Sequence, residues 1–174
     1  MTEMLERRVS MKKRICYHPI GIIHTPYQDP AGMPIQPVGG EEITGTVEVF
    51  PEFADGLLDI GGFSRIILIY QFHRSCDCRL QLVPFLDTVS HGVFSTRAPS
   101  RPNSIGFSVV CLHQVEGNCL IISGVDMLDG TPLLDIKPYL PYCDAFVCER
   151  TGWFPSSDDR FTTARSDRRF SGRR

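Results

Sequence analysis

The sequence predicts an all-β protein, a small closed or nearly closed β-barrel with one short helix and no Rossmann unit. Three observations predict it. Runs rich in β-branched and aromatic residues recur through the body, most of them separated by Gly, Pro, Asn or Asp. Strand and helix patterns do not alternate as βαβ units would, and no GxGxxG follows a strand. Only one stretch has a helical pattern, and many short strands with one helix suit a barrel.

In chain order the strand runs are "ICYHPIGIIHT", "TGTVEVF", "RIILIYQFH", "LQLVPFL", "HGVFSTR", "SIGFSVVCLHQVEG", "NCLIISGVDML" and "PLLDIKPYL". "EGN" at 116–118 predicts a hairpin between two long apolar strands. "PEFADGLLDIGGF" predicts the helix: Phe53, Leu57 and Ile60 share a face, Pro51 begins it and Gly61-Gly62 ends it. The Pro/Gly-rich "DPAGMPIQPVGG" (29–40) is a loop, of a length that is either functional or disordered. Beyond Trp153 the periodicity stops. This gives a basic N-terminal segment at 1–14, a barrel domain at 15–153 and a basic, flexible tail at 154–174.

The chain of 174 residues carries a net charge of −2, but the charge is uneven. Residues 1–14 hold five basic and two acidic side chains, and residues 160–174 hold six Arg and one Asp. The body between them is acidic, so its few cations are informative. Both tails read as solvated charge or as polyanion contacts. No apolar run is long enough to span a membrane, and the N-terminus lacks the apolar core of a secretory signal. The seven cysteines are odd in number and several lie in apolar runs, which predicts reduced thiols in a cytoplasmic protein.

Two stretches stand out chemically. In "GVFSTRAPSRPNSIGFS" (92–108), Pro99 and Pro102 stiffen a loop that displays Arg97 and Arg101, with Asn103 and Gly106 after them. Arg forks suit carboxylate or phosphate, while the plainer reading is a rigid turn with its arginines paired to nearby acids. In "DMLDGTPLLDIKPYLPYCDAF" (126–146), Asp126 and Asp129 flank a turn. Asp135 and Lys137, two apart on an extended segment, point the same way, as site residues or as a plain surface pair. "YQFHRSCDC" has His73, Cys76 and Cys78, but C-x-C is not a zinc spacing, so no metal is expected. No cysteine has a recognisable base partner.

"IGIIHTPY", "MPIQP", "GFSRIILIYQFHR", "GVFSTRAPSRPNSIGFSVV" and "DMLDGTPLLDIKPYLPYCDAF", in that order, resemble the TrmO-type (YaeB-like) tRNA methyltransferases over residues 17–153. The resemblance implies a non-Rossmann β-barrel that uses S-adenosyl-L-methionine and works as a homodimer. It implies N6-methylation of N6-threonylcarbamoyladenosine beside the anticodon of tRNA, with no DNA or membrane partner. It implies a cofactor role for Arg97 in "TR" and places near the RNA for Arg101 and Asn103 in "RPN". Gln36 and Pro37 of "IQP", Phe72, His73 and Arg74 of "FHR", Phe107 after "SIG", and Asp126, Met127, Leu128, Asp129 and Gly130 of "DMLDG" match segments lining the cofactor site. The sequence departs from the family at Ser104, where many relatives have proline, and in carrying "RSCDCRLQLVPF" where others have variable insertions, and it is expected to lack the C-terminal domain of longer bacterial members.

The chemistry asks for little beyond positioning, because the methyl group of a sulfonium is already reactive. The acceptor nitrogen must lose a proton, which Asp135 or a backbone carbonyl could take, but no spacing picks one out. The carboxylate of the modified base calls for a cation from Arg101, Lys137 or Arg97. The basic tail at 160–174 is expected to serve RNA and not cofactor. The non-catalytic alternative is a barrel that binds S-adenosylmethionine or RNA without transferring a methyl group.

Overall fold

The computed structural model describes residues 15–75, 77–154 and 159–170. Each of the eight apolar runs contains a strand. In chain order these are β1 (Gly21–His24), β2 (Thr44–Val49), β3 (Arg65–Gln71), β4 (Gln81–Leu82), β5 (His91–Gly92), β6 (Ile105–Glu116), β7 (Cys119–Ser123) and β8 (Thr131–Pro138). Six of them close a barrel in the order β1-β2-β7-β6-β3-β8. Every neighbouring pair is antiparallel. β4 and β5 pair only with each other, outside the barrel.

Alternation builds the barrel core. Ile66, Leu68 and Tyr70 of β3 turn inward against Val110 and Leu112 of β6, Leu120 and Ile122 of β7, and Ile23, Val47 and Leu133 from the remaining strands. The predicted hairpin joins β6 to β7, with Glu116 opposite Cys119. Gly117 has φ +61° and Asn118 does not share the positive sign, so the glycine takes the first central position of a primed hairpin turn.

The predicted helix is a correction. Residues Pro51–Leu57 and Ile60–Gly62 form two 3-10 segments with no α-helix, broken by an extended Leu58 and a left-handed Asp59. Gly56 and the Gly61-Gly62 pair dilute helix propensity, and i→i+3 bonding suffices for so short a cap. Leu57, Ile60 and Phe63 still pack on the core, while Phe53 stays exposed. Among the described residues no helix is long and apolar enough to cross a membrane.

A second layer covers one end of the barrel. The long connection between β3 and β6 contributes Leu82, Val93 and Ala98 to a small apolar cluster, completed by Phe170 from the far end of the chain. Phe170 meets Phe85 edge-on, with ring centroids 5.0 Å apart. The segment read as a flexible tail therefore lies against the body over 159–170. Gly32 N–H donates to the Ser166 carbonyl and Ser166 N–H to that of Met33, each at 2.8 Å. Arg169 Nη1 donates to the Pro84 carbonyl at 2.8 Å, and Arg168 pairs with Asp29 at 2.8 Å. Two phenylalanines and carbonyl-seeking arginines dock this stretch without any hydrophobic period. Residues 1–14, the other basic segment, lie outside the described residues.

One contact fixes the barrel end beneath this layer. Tyr70 and Gly106 are directly opposite across β3 and β6. A Cβ on Gly106 would lie 2.2 Å from Tyr70 Cε2 and 2.5 Å from Cζ, so the inward ring needs a glycine opposite. Gly106→Ala is expected to cost on the order of 3 kcal/mol, read as a lowered midpoint in urea unfolding. Tyr70→Leu in that background should recover part of the loss, because it removes the ring. An unchanged midpoint for Gly106→Ala would contradict this packing.

Candidate active site

Between the barrel end and the second layer lies a cavity of about 700 Å³. The end of β3 and the residues after it supply Tyr70, Phe72, His73 and Arg74, and β6 supplies Ile105 and Phe107. The "MPIQP" loop, the loop at 96–101, residues 126–128 and the C-terminal segment complete the wall. A β-bulge lies beside it: the β3–β8 register shifts between Ile69 and Tyr70. Such irregularities re-aim strands at barrel rims.

The floor is polar, with Asp126 half-buried above two buried hydroxyls. Ser108 Oγ lies 2.6 Å from Asp126 Oδ1 and 3.0 Å from Tyr70 Oη. An ionised carboxylate only accepts, so Ser108 donates its single proton to Asp126 and Tyr70 donates to Ser108. Tyr70 and Ser108 are almost wholly buried. Burial pushes the Asp126 carboxyl up to about 7, against the opposing pull of the Ser108 hydrogen bond and the Arg97 charge. Burial also raises the Tyr70 phenol well above its ordinary value.

Arg97 and Gln36 close one side. Arg97 Nη1 donates to Gln36 Oε1 at 2.6 Å, and Gln36 Nε2 donates to the Ile35 carbonyl at 2.7 Å. This cross-links the two loops that sequence reading assigned to the cofactor. His73 lies beyond, with Nδ1 3.4 Å from Thr131 Oγ1. The Thr131 hydroxyl donates to the Leu128 carbonyl at 2.7 Å, so Nδ1 carries the proton in this contact and Nε2 is left as acceptor. Burial, helped by Arg74, lowers the His73 pKa and favours the neutral ring.

The structure divides the expected site residues. Gln36, Phe72, His73, Arg74, Arg97, Arg101, Phe107, Asp126, Met127 and Leu128 line the cavity together. Arg101 does so with a guanidinium already engaged: Nη1 donates to the carbonyls of Val93 at 3.0 Å and Thr96 at 2.9 Å, above the Phe94 ring. Its first task is to hold its own loop in shape. Pro37 opens a 3-10 turn behind Gln36, and Asn103 lies at a bend outside the cavity wall. Asp129 pins the loop after β1, accepting from Gln28 Nε2 at 2.9 Å and Thr25 N–H at 3.1 Å. Those bonds hold its carboxyl below the usual carboxylate range. Gly130 supplies the positive φ, +73°, of the following turn.

Asp135 and Lys137 are not brought to the cavity of their own chain. They pair with each other at 2.8 Å, half exposed. Counted from Thr131 at the cavity, they lie about 13 and 20 Å along β8 at ~3.3 Å per residue. Among the described residues no three His, Cys, Asp or Glu side chains gather as metal ligands; Cys76 lies outside that set.

The sequence pattern pointed to Asp126 of the floor but not to Tyr70, Ser108 or the C-terminal wall. Tyr70 and Ser108 sit at inward positions of strands where their neighbours are aliphatic, and that misplaced polarity was the available signal. The C-terminal wall is aromatic: Trp153 stacks between His91 and Phe154, with ring centroids 4.4 and 3.8 Å away. Trp153 Nε1 donates to the Ser95 carbonyl at 2.8 Å. Phe161, Ser166 and Phe170 also face the cavity, so this segment serves the pocket itself. The expectation for 160–174 is service to RNA and not cofactor; the described part of that stretch stands at the cavity wall.

Comparison with known proteins identifies the frame. The tRNA-methyltransferase O N-terminal domain matches residues 22–145. The chain belongs to the TrmO family. It is 54% identical over 156 residues to a probable S-adenosyl-L-methionine-binding protein of Pyrococcus abyssi, covering 90% of this chain and 85% of that one. It is 41% identical over 101 residues to the human tRNA (adenine(37)-N6)-methyltransferase, covering 56% of this chain and 23% of the human protein. A crystal structure of TrmO from Pseudomonas aeruginosa superposes with a TM-score of 0.69 at 37% identity, over 82% of this chain and 64% of that one. The chain thus spans less than two thirds of the solved TrmO chain. The aromatic wall of Trp153, Phe154, Phe161 and Phe170 lies beyond the residues matched by the TrmO domain.

Proposed function

We propose that this chain transfers a methyl group from S-adenosyl-L-methionine to the N6 atom of an adenosine in tRNA, with N6-threonylcarbamoyladenosine in the anticodon loop as the substrate. The observation that carries the reading is the cavity itself. It is an apolar slot with an acid at its floor and an arginine at its side, inside the region shared with the TrmO family.

The residues fit the methyl donor. Met33, Ile35 and Phe72 offer an apolar bed for a purine. Asp126 suits the cationic centre, and Arg97, steered by Gln36, suits the carboxylate. The donor supplies an electrophilic methyl group on a sulfonium. What the chain adds is orientation and exclusion of water by the second layer. Arg74, Arg97 and Arg101 line the cavity and are near enough to meet a substrate carboxylate, whereas Lys137 is too far along β8. The relatives' names support both substrates: one is a probable S-adenosyl-L-methionine-binding protein, another a tRNA (adenine(37)-N6)-methyltransferase.

The active form in this reading is a cytoplasmic homodimer. After β8 the chain presents Tyr142 and Val147 fully, and Phe146 largely, to solvent. Apolar residues so exposed within six positions of one another support burial against a second copy. It also gives Asp135 and Lys137, stranded in their own chain, a route to a partner's cavity. Light scattering at micromolar concentration should give twice the chain mass; a monomer would contradict the dimer.

The test of function is incubation of the purified protein with S-adenosylmethionine and tRNA lacking the modification, followed by nucleoside mass spectrometry. One added methyl on N6-threonylcarbamoyladenosine is the expected result. Methylation of another nucleoside would overturn the substrate, and no methylation of any tRNA would overturn the activity.

A further inference from the structure

We propose that Asp126 is the catalytic proton acceptor of this site, a carboxylate aimed into the cavity by Ser108 and Tyr70. The inference rests on the reading of the cavity as a methyl-transfer site. In the step it serves, a bond forms between N6 and the methyl carbon while the carbon–sulfur bond breaks and its electron pair stays on sulfur. The proton leaving N6 passes to the Asp126 carboxylate and then to solvent.

Elimination among carboxylates carries the argument. Two aspartates line the cavity, Asp126 and Asp167. Arg169 covers both oxygens of Asp167, with Nε at 3.0 and 2.9 Å and Nη2 at 2.7 Å. Asp129 is bound by Gln28 and Thr25, and Asp135 by Lys137 far along β8. Asp126 accepts one side-chain hydrogen bond, from Ser108 to Oδ1, and no other side chain among the described residues bonds it. The Tyr70–Ser108–Asp126 chain anchors the carboxylate through Oδ1, its own backbone N–H supports it as well, and the residue lines the cavity.

The surroundings set the protonation. The titratable and charged groups nearest Asp126 are Tyr70 of β3, Tyr27 after β1 and Arg97 of the 96–101 loop. His73, Arg74, Arg101 and Asp167 lie further round the cavity. With its pKa near 7, Asp126 binds a proton in acid and is ionised above neutrality, where it can accept one. A bound sulfonium favours the ionised form, so donor binding should expel the proton that Asp126 holds at pH 7. His73, with a free Nε2, is the competing acceptor.

Single-turnover methylation of tRNA at saturating S-adenosylmethionine, followed from pH 5.5 to 8.5, tests the proposal. The wild-type rate should climb with pH to a plateau, with a midpoint near or below 7. Asp126→Asn should lower the plateau by about 100-fold or more and abolish that limb. Ser108→Ala should move the limb to higher pH, because the lost hydrogen bond favours the ionised form. The fold is checked by melting at pH 8. A carboxyl with a raised folded pKa costs stability when ionised, so Asp126→Asn should melt no lower than wild type. Independently of turnover, calorimetry of S-adenosylmethionine binding in buffers of different ionisation enthalpy should show proton release from the wild type and none from Asp126→Asn. The proposal is overturned if Asp126→Asn keeps the limb and plateau, if His73→Gln alone removes the limb, or if both proteins release the same protons. A wild type that binds the donor but methylates no tRNA overturns the functional reading and the proposal with it.

Discussion

A tyrosine turned inward at the end of a barrel strand is the constraint on which the site depends. Tyr70 fills the barrel end only because Gly106 stands opposite it with no side chain. Its hydroxyl is then buried and needs a partner, since an unsatisfied one costs about 1–3 kcal/mol. Ser108, two residues along the facing strand and on the same inward side, is that partner. The Ser108 proton goes on to Asp126, and a carboxyl ends up at the cavity floor where burial opposes its charge. The packing of the barrel end and the acid–base character of the site are therefore one arrangement.

Around this rigid floor the walls are loops, held by polar contacts and by a few aromatics. Arg101 ties its own loop together through carbonyls, while Arg97 reaches across to Gln36 and joins that loop to "MPIQP". The chain's end returns as a third wall through Ser166, Arg169 and Phe170. Loops pinned at a few points around a closed barrel can part to admit a ligand without disturbing the core. The division suits a reaction in which a small donor must be enclosed and a large RNA must approach from outside.

The barrel was legible because its strands obey one rule: inward aliphatic, outward mixed, with Gly or Pro between. The rule fails where backbone or polar chemistry decides. The stretch at 51–62 has helical spacing, yet its glycines and the left-handed Asp59 leave two 3-10 segments. The 159–170 segment has no period to read, because arginine-to-carbonyl bonds and isolated rings dock it. The motif residues were found, but spacing could not separate their tasks. Arg101 and Asp129 shape loops, Arg97 and Asp126 face the cavity, and Asp135 and Lys137 leave along β8. Only closure of the barrel sorts residues two apart in sequence into site and surface.

The central claim is that this cavity is where the methyl donor binds. A crystal structure of the full chain with S-adenosylhomocysteine tests it most directly. The ligand is expected between the barrel end and the second layer, its carboxylate on Arg97 and its sulfur on the side of Asp126. A ligand seated elsewhere, or in the cavity with neither residue in contact, would contradict it.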